Sequence, residues 1–405
     1  MSVRIVMIAP FGIRPKGTLS ARMLPLAQAL TERGHGVHII APPVQNPQDA
    51  GTRIDYGGVL VEHTRLTRLP GPASALEQIQ LLHASALAMQ PDVVHLFKPK
   101  GFGGLAVLGL PRHMPLVVDS DDWEGWGGWN DLLPYPAWAK WLFAWQEHDL
   151  PHRADAVTAV SRVIEHQILG FGVAPGQLFY VPNGVFVQEI THDQKPRSHH
   201  ASQNKQHADQ AYTILLYTRF WEFELPFLLD VLRQVIAYEP RVRLMVVGRG
   251  EHGEQEELLR LAEAAQLRHV IDYRGWAAPQ EIAGLLAEAD LALVPIADTL
   301  LNRARGLAKL LELMAAGLPI VASRVGQVAE YLVDRESGIL VAPSDAQAMA
   351  ESVAALLANP ELRGDLATGA RARASLFSWR RLAVVVERAY EVAVRQAHER
   401  FVHNR

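Results

Sequence analysis

A lysine and a glutamate three residues apart give this chain its most specific chemical signal. Lys309 and Glu312 lie in the segment PIADTLLNRARGLAKLLELMAAGLPIVAS, residues 295–323, where an apolar strand leads through a polar loop into a short helix. Residues three apart share one helix face, so an ammonium group for a phosphate stands beside a carboxylate that can accept hydrogen bonds from a diol. The loop brings backbone N–H groups and a positive helix end to the carboxyl end of a strand. These features predict a sugar-nucleotide site.

Tryptophans form a second signal, because six of the nine fall between residues 123 and 145. Trp138, Trp141 and Trp145 share one stripe of a predicted helix. That stripe is typical of a sugar-binding platform or of an interfacial stripe on a membrane, but plain core packing is the commoner outcome and is the one we expect. The other three lie among glycines in a loop, where packing explains less, so we expect them to contact an acceptor: Trp123, Trp126 and Trp129.

The elements that must position these residues alternate between buried strands and amphipathic helices. Val3–Ala9 is an apolar strand, a helix follows over about 20–33, and Val37–Ile40 is the next strand. Right-handed crossover makes such strands parallel. The pattern continues to about residue 180 and restarts at Thr213, which predicts an α/β protein with two Rossmann-like doubly wound domains facing a cleft. Gly17, in the first loop, would allow close backbone approach to a ligand.

The predicted domains have the following bounds. Residues 1–188 form an acceptor-side domain, 189–211 a polar linker or disordered loop, 212–375 a nucleotide-sugar domain, and 376–405 a C-terminal helix. The linker holds several histidines but no apolar frame, and zinc sites need fixed geometry, so we expect no metal there.

Composition excludes several classes of function. The 405 residues carry a net charge of -4, which gives no overall attraction to nucleic acid. The chain contains no cysteine, which excludes disulfides and thiolate chemistry and fits a reducing compartment. Its N-terminus enters a strand directly, without the pattern of a signal peptide, so a cytoplasmic location is expected.

The order of short motifs resembles the family-4 retaining glycosyltransferases, or group 1 glycosyl transferases, of GT-B fold. The resemblance covers nearly the whole chain and rests on segment 295–323 and these motifs: RGHGVHII (33–40), PDVVHLF (91–97), ADAVTAVS (154–161), VPNGV (181–185), LLYTRF (215–220), LMVVGRGE (244–251), YRGW (273–276) and SGILVAPSDAQAMAESV (337–353). The resemblance implies transfer of a sugar from a nucleoside-diphosphate sugar, most simply a UDP- or GDP-sugar, to the hydroxyl of a glycan, lipid-linked or small-molecule acceptor. It also implies that the C-terminal helix crosses back to the N-terminal domain.

The resemblance also assigns roles to residues. Arg219 and Lys309 would bind the donor diphosphate, and Glu312 would hold the ribose hydroxyls. Trp276 would line the nucleobase pocket. The remaining donor-site residues lie in loops: Gly17, Arg305, Gly306 and Leu307.

Two positions depart from the family pattern. The first glutamate of its E-x7-E motif is replaced by Ala304, and the lysine that usually follows the arginine is absent after Arg219. Arg303 or Arg305 could supply the missing positive charge. The loss at Ala304 keeps a non-catalytic partner protein open as one rival. A sugar-nucleotide epimerase or hydrolase of the same architecture is the other.

Four acidic residues follow the strand at 116–118, in the segment VVDSDDWEGWGGW, and Asp121 and Asp122 are the two that matter here. Asp121 stands about where relatives carry a histidine near the donor sugar, so Asp121 or Asp122 would accept a hydrogen bond from a sugar hydroxyl. The alternative is that both merely cap the next turn. The family binds its diphosphate with cations and helix ends, so we expect no metal and no cofactor beyond the nucleotide sugar. Catalytic roles thus fall to Arg219, Lys309 and Asp121.

Overall fold

The computed structural model describes residues 2–14, 17–44, 46–186 and 211–403, which fold into two units. Unit 1 comprises residues 1–184, 304–306 and 378–405, and unit 2 comprises residues 185–303 and 307–377. The predicted linker and its histidines lie, apart from Ala211, outside the described residues.

Unit 1 is built on an eight-stranded sheet in which neighbouring strands are parallel except for one antiparallel edge pair. The strands are β1 Arg4–Ile8, β2 Gly36–Ala41, β3 Arg53–Asp55, β4 Leu60–His63, β5 Val93–Phe97, β6 Leu116–Ser120, β7 Ala156–Ala159 and β8 Leu178–Tyr180. Their order is β3-β4-β2-β1-β5-β6-β7-β8, and only β3 runs against its neighbour. The central strands are buried on both faces, which explains their continuous apolar sequences.

Helices cover this sheet. They are α1 Leu24–Glu32, α2 Pro72–Ala88, α3 Gly101–Ala106, α4 Trp129–Leu132, α5 Ala137–Arg153 and α6 Arg162–Gly170. A π-helical turn, Leu19–Met23, runs directly into α1. Ser161 begins α6 by accepting a hydrogen bond from the Ile164 amide, the usual role of serine at a helix N-terminus.

Unit 2 has a six-stranded sheet whose strands are all parallel. The strands are β9 Tyr212–Tyr217, β10 Val242–Val247, β11 Ile271–Gly275, β12 Leu291–Val294, β13 Ile320–Ser323 and β14 Ile339–Val341, in the order β11-β10-β9-β12-β13-β14. The helices are α7 Leu225–Tyr238, α8 Glu254–Ala264, α9 Pro279–Ala287, α10 Leu300–Ala304, α11 Ala308–Ala316, α12 Val328–Tyr331, α13 Ala346–Ala358 and α14 Pro360–Ala374.

The last helix, α15 Trp379–His403, belongs to unit 1. Its buried face packs into the same apolar cluster as β1, β2 and α1. On the exposed side, Arg33 of the α1 C-terminus pairs with Glu387 through two hydrogen bonds of 2.6 and 2.7 Å. The helix is therefore an integral part of the unit 1 core.

The predicted fold class is confirmed, since both units are α/β with a parallel sheet and covering helices. None of the described helices is both long enough and apolar enough to cross a membrane.

Candidate functional site

The nucleotide side of the predicted site is organised around Tyr217, the last residue of β9. Lys309 places its Nζ atom 4.2 Å from the centre of the Tyr217 ring, and Glu312 hydrogen-bonds the hydroxyl group of the same tyrosine. Burial, followed by the charge and hydrogen bond of Glu312, raises the pKa of Tyr217 above its usual value. The lysine and glutamate thus share one face of α11, as their spacing predicts, and meet at the carboxyl end of a central strand.

Arg219 lies in the loop after β9, two residues beyond Tyr217. Its Nη2 atom donates to Oε1 of Glu251 over 2.8 Å, and both side chains are about half exposed. An exposed pair of this kind is weak, so an anionic ligand can displace Glu251 at small cost. Glu222 fixes the loop by accepting hydrogen bonds from the Thr218 hydroxyl and the Arg219 amide.

The loop before α11 is stabilised by a residue that the sequence did not indicate. The Leu307 amide donates to Oε1 of Gln327 over 2.6 Å, so this predicted donor-site N–H is already engaged. The helix ends at Gly317, whose φ of 71° favours glycine. Trp276 follows Gly275 at the end of β11 and is 67% exposed, so its ring is available to a base.

The other predicted donor-site residues belong to unit 1. Gly17 is exposed, and its amide donates to the Ser20 hydroxyl over 3.1 Å. Arg305 and Gly306 follow Ala304, which is fully buried and whose carbonyl accepts a hydrogen bond from Ser161. A side chain at Gly306 would collide with Asn183, since an added Cβ would lie 2.4 Å from its Nδ2 atom. The position of the missing glutamate is therefore a packed site in this unit.

The acidic residues after β6 converge on a buried lysine. Lys98 Nζ lies 3.2 Å from Asp121 and 2.8 Å from Glu124, and it also contacts Asp122. These three carboxylates lie close enough together to share a metal ion, but a cation of the protein itself already contacts all three. Neither aspartate caps the next turn, so the capping alternative is wrong; their side chains contact Lys98 and, for Asp121, the Thr18 hydroxyl.

Burial and charge separate the pKa values within this cluster. Burial raises the pKa of Asp121 to about 7 against the opposing charge of Lys98. Burial would also raise the pKa of Glu124, but Lys100 and Lys98 lower it to about 2. Burial lowers the pKa of Lys98, yet the surrounding carboxylates raise it well above its usual value overall. The cluster therefore holds a permanent positive charge and one carboxyl group, Asp121, that titrates near neutral pH.

A buried network supports the strand that carries these acids. Arg22 forms two hydrogen bonds of 2.7 and 2.8 Å with Asp119, and Thr158 also donates to Asp119. His95 lies behind them, hydrogen-bonded to the Tyr390 hydroxyl over 3.0 Å, and burial lowers its pKa to about 4. His95 is therefore a structural histidine whose polar groups are satisfied within the fold.

The tryptophan stripe on α5 contradicts one expectation. Core packing is wrong for Trp138 and Trp141, which are 71% and 61% exposed, while Trp145 is only half-buried. Their neighbours Leu132 and Tyr135 are exposed as well. Helical spacing correctly placed the three rings on one stripe, but it could not say whether that stripe faces the sheet. Of the three tryptophans predicted in the preceding loop, Trp126 is exposed, and Trp123 and Trp129 are half-buried. The loop prediction is wrong for Trp129, which is the first residue of α4.

Sequence reasoning missed three residues of these sites. Tyr217 lies within the LLYTRF motif. The strand pattern of that motif would have placed Tyr217 at the end of the strand. Lys98 has a left-handed φ of 58°, uncommon for a residue other than glycine, which no local sequence signal announces. Gln327 accepts the hydrogen bond of the Leu307 amide, twenty residues earlier in the chain, and no sequence pattern indicated this contact.

Two family models match the chain. Residues 17–184 match the model described as "Glycosyl transferase 4-like domain", and residues 211–359 match that described as "Glycosyl transferases group 1". Together the matched ranges cover most of both units. The two models match in the order along the chain that the motif resemblance implies.

Relatives and solved structures agree with the family models. The phosphatidyl-myo-inositol mannosyltransferase of Mycobacterium leprae is 26% identical over 398 residues, covering 96% of both chains. Sucrose-phosphate synthase from Thermosynechococcus elongatus superposes with a TM-score of 0.73 at 19% identity, covering 96% of this chain and 98% of that one. The Anabaena protein Alr3699/HepE, solved with UDP and glucose, gives a TM-score of 0.69 at 18% identity, with coverage of 95% and 97%.

These matches favour a transferase over the epimerase, the hydrolase and the non-catalytic partner that Ala304 had kept open. The two parallel sheets and the paired family matches lead to the same assignment. The chain is a glycosyltransferase of GT-B fold, with a glycosyl transferase 4-like domain over residues 17–184 and a group 1 glycosyl transferase domain over residues 211–359.

Proposed function

We propose that this enzyme transfers a hexosyl group from a UDP- or GDP-sugar to an acceptor hydroxyl with retention of the anomeric configuration. One observation carries the proposal: Lys309 and Glu312 meet at Tyr217 on the carboxyl end of β9. An ammonium group suits a phosphate, and a carboxylate, which accepts hydrogen bonds through two oxygens, suits the two hydroxyls of a ribose. Ligands of parallel α/β sheets bind at this end of the strands.

The barrier of such a transfer lies largely in expelling the diphosphate. Arg219 and Lys309 place positive charge where negative charge grows as the bond from the anomeric carbon to the phosphate oxygen breaks. The acceptor oxygen bonds to the same face of the sugar, and its proton passes to a leaving phosphate oxygen. This step requires no general base from the protein and no metal ion.

The remaining donor contacts are assigned from the positions of these residues in the chain. Trp276 stacks on the base, and Gly17, Arg305, Gly306 and Leu307 contribute loop contacts to the donor. Asp121 accepts a hydrogen bond from a sugar hydroxyl in its ionised form, which is the role left vacant by Ala304. Lys98 keeps a positive charge beside that carboxylate over the whole physiological pH range.

The acceptor side lies in unit 1. Asp122 and the loop tryptophans 123, 126 and 129 contact a glycan, lipid-linked or small-molecule acceptor. A lipid-linked acceptor is supported by the exposed rings of Trp138 and Trp141, which suit peripheral contact with a membrane surface, and by the lipid named in the mycobacterial relative's description. Such an enzyme would act in polysaccharide or glycolipid biosynthesis, in the cytoplasm at the inner face of the membrane.

Product analysis tests this function. The purified protein is incubated with UDP- and GDP-hexoses and with saccharide or lipid acceptors, and the anomeric configuration of the product is read by NMR. We expect acceptor-dependent transfer with the donor's configuration. An inverted product would refute retention, whereas free sugar or an epimer formed without acceptor would refute transfer itself.

A further inference from the structure

Unit 1 contains a cavity of about 390 Å³ that none of the predicted donor contacts occupies. This size lies within the range of small-molecule sites, roughly 300–1,000 Å³. We call it the tryptophan pocket, and its apolar wall consists of the rings of Trp123, Trp126, Trp141, Trp145 and Phe171.

Three elements build the tryptophan pocket. Trp123 and Trp126 come from the loop after β6, Trp141 and Trp145 from α5, and Phe171 from the end of α6. The loop is fastened to α5 because Glu147 accepts hydrogen bonds of 2.5 and 2.9 Å from the amides of residues 124 and 125. The aromatic wall is therefore held in place before any ligand arrives.

A polar group in this wall points to the class of ligand. Gln167 is 8% exposed and lines the pocket; its carboxamide nitrogen faces the carboxylate of Glu147, while its carboxamide oxygen has no hydrogen-bond partner among the described residues. The carboxyl group of Glu147 stands nearby, with its pKa raised to about 7 by burial against the opposing backbone amides. A buried carboxamide oxygen without a donor is unfavourable unless a ligand supplies one.

A sugar ring suits both the aromatic rings and the polar group of this wall. One face of a pyranose carries C–H groups that pack on an aromatic ring, while the hydroxyls at its edge donate and accept hydrogen bonds. An alkyl chain would pack against the rings but leave the Gln167 carboxamide oxygen without a donor. We propose that the tryptophan pocket binds a pyranose unit of a saccharide-containing acceptor. Only its description as the acceptor rests on the proposed function; saccharide binding does not.

Ligand-observed NMR tests the pocket directly. The wild-type protein is titrated to millimolar concentrations with the methyl α-glycosides of glucose, mannose and galactose, and with octanoate as an alkyl probe. We expect at least one glycoside to bind. Trp141→Ala and Gln167→Leu should each weaken that binding roughly tenfold, the loss of about one hydrogen bond or one ring contact. Trp138→Ala is the matched control, since this exposed ring lies on the same helix but does not line the pocket.

The outcomes separate this inference from the proposed function. Binding of octanoate but of no glycoside would overturn the inference, as would glycoside binding unchanged in both pocket variants. Octanoate binding that survives Gln167→Leu while glycoside binding is lost would support it. If the pocket variants transfer sugar with an unchanged KM for a saccharide acceptor, the inference fails and the function stands. If glycosides bind but no donor is ever consumed, the function fails and the saccharide pocket stands.

Discussion

The ammonium group of Lys309 lies 4.2 Å from the centre of the Tyr217 ring, and the hydroxyl of that ring is hydrogen-bonded to Glu312. One tyrosine thus orients both side chains assigned to the nucleotide. The arrangement makes Tyr217 a positioning residue that can be tested without touching either ligand-binding group.

Tyr217→Phe should weaken nucleotide binding roughly fivefold, because a hydrogen bond of this kind contributes about 1 kcal/mol and its loss frees the Glu312 carboxylate to reorient. The ring that lies beside Lys309 is kept. Isothermal titration with the preferred nucleoside diphosphate measures the change. Tyr238→Phe, an exposed tyrosine on α7, serves as control and should bind as the wild type does. Equal affinity in both variants would show that the tyrosine does not orient the site.

Lys98→Met should destabilise the protein by about 3–5 kcal/mol, since it leaves buried carboxylates without their shared counter-charge. Urea denaturation at neutral pH gives the free energy of unfolding. Arg233→Met removes the exposed pair with Asp230, whose side chains are 59% and 50% accessible, and should change stability far less. Similar losses for the two variants would contradict the account of the acidic cluster.

The stability of the protein should fall as pH rises through about 7. The folded-state pKa of Glu147 is raised to about 7, above its unfolded value, so its contribution is full below the unfolded pKa and is lost as pH rises through the folded one. Burial also raises the pKa of Asp121 to about 7, so its ionisation lowers the stability of the protein in the same direction. Glu147→Gln should therefore flatten the decline in unfolding free energy between about pH 5 and 7, the range between the unfolded and folded pKa values of Glu147. An identical slope in wild type and variant would show that Glu147 does not titrate there.

The proposed contact with a membrane surface implies that Trp138 contributes to vesicle binding. Replacing Trp138 by serine should reduce sedimentation with phosphatidylcholine–phosphatidylglycerol vesicles several-fold, because an exposed indole favours the interface. Trp276→Ala, an equally exposed tryptophan of unit 2, should leave sedimentation unchanged. If the wild type does not sediment at all, peripheral contact through α5 is excluded for these lipids.

The sequence predicted the buried inner strands of the sheets better than the strands at the sheet edges. Long apolar runs placed β1 and β2 within a residue of their observed ends, because burial on both faces favours continuous apolar sequence. The edge strand β3 was missed, since its three residues, RID, are all exposed. The short strand β8 was missed as well, because only half-buried side chains mark it.

The site was predicted in part for similar reasons. The spacing of Lys309 and Glu312 was enough to place them on one face, because helix periodicity is local. The lysine at the centre of the acidic cluster was not predictable in the same way, since Lys98 and Glu124 are distant in sequence and meet only through the pairing of β5 with β6. The exposure of Trp138 likewise depends on which face of α5 meets the rest of unit 1.

The central claim is that the Lys309 and Glu312 face of α11 binds a nucleoside diphosphate. Calorimetric titration of the wild type and of Glu312→Ala with UDP, GDP, ADP and dTDP tests it most directly. We expect one nucleotide to bind selectively and the variant to lose about 1.5–3 kcal/mol of binding free energy, the contribution of charged hydrogen bonds to the ribose. Unchanged affinity in Glu312→Ala, or no binding of any of the four nucleotides to the wild type, would contradict the claim.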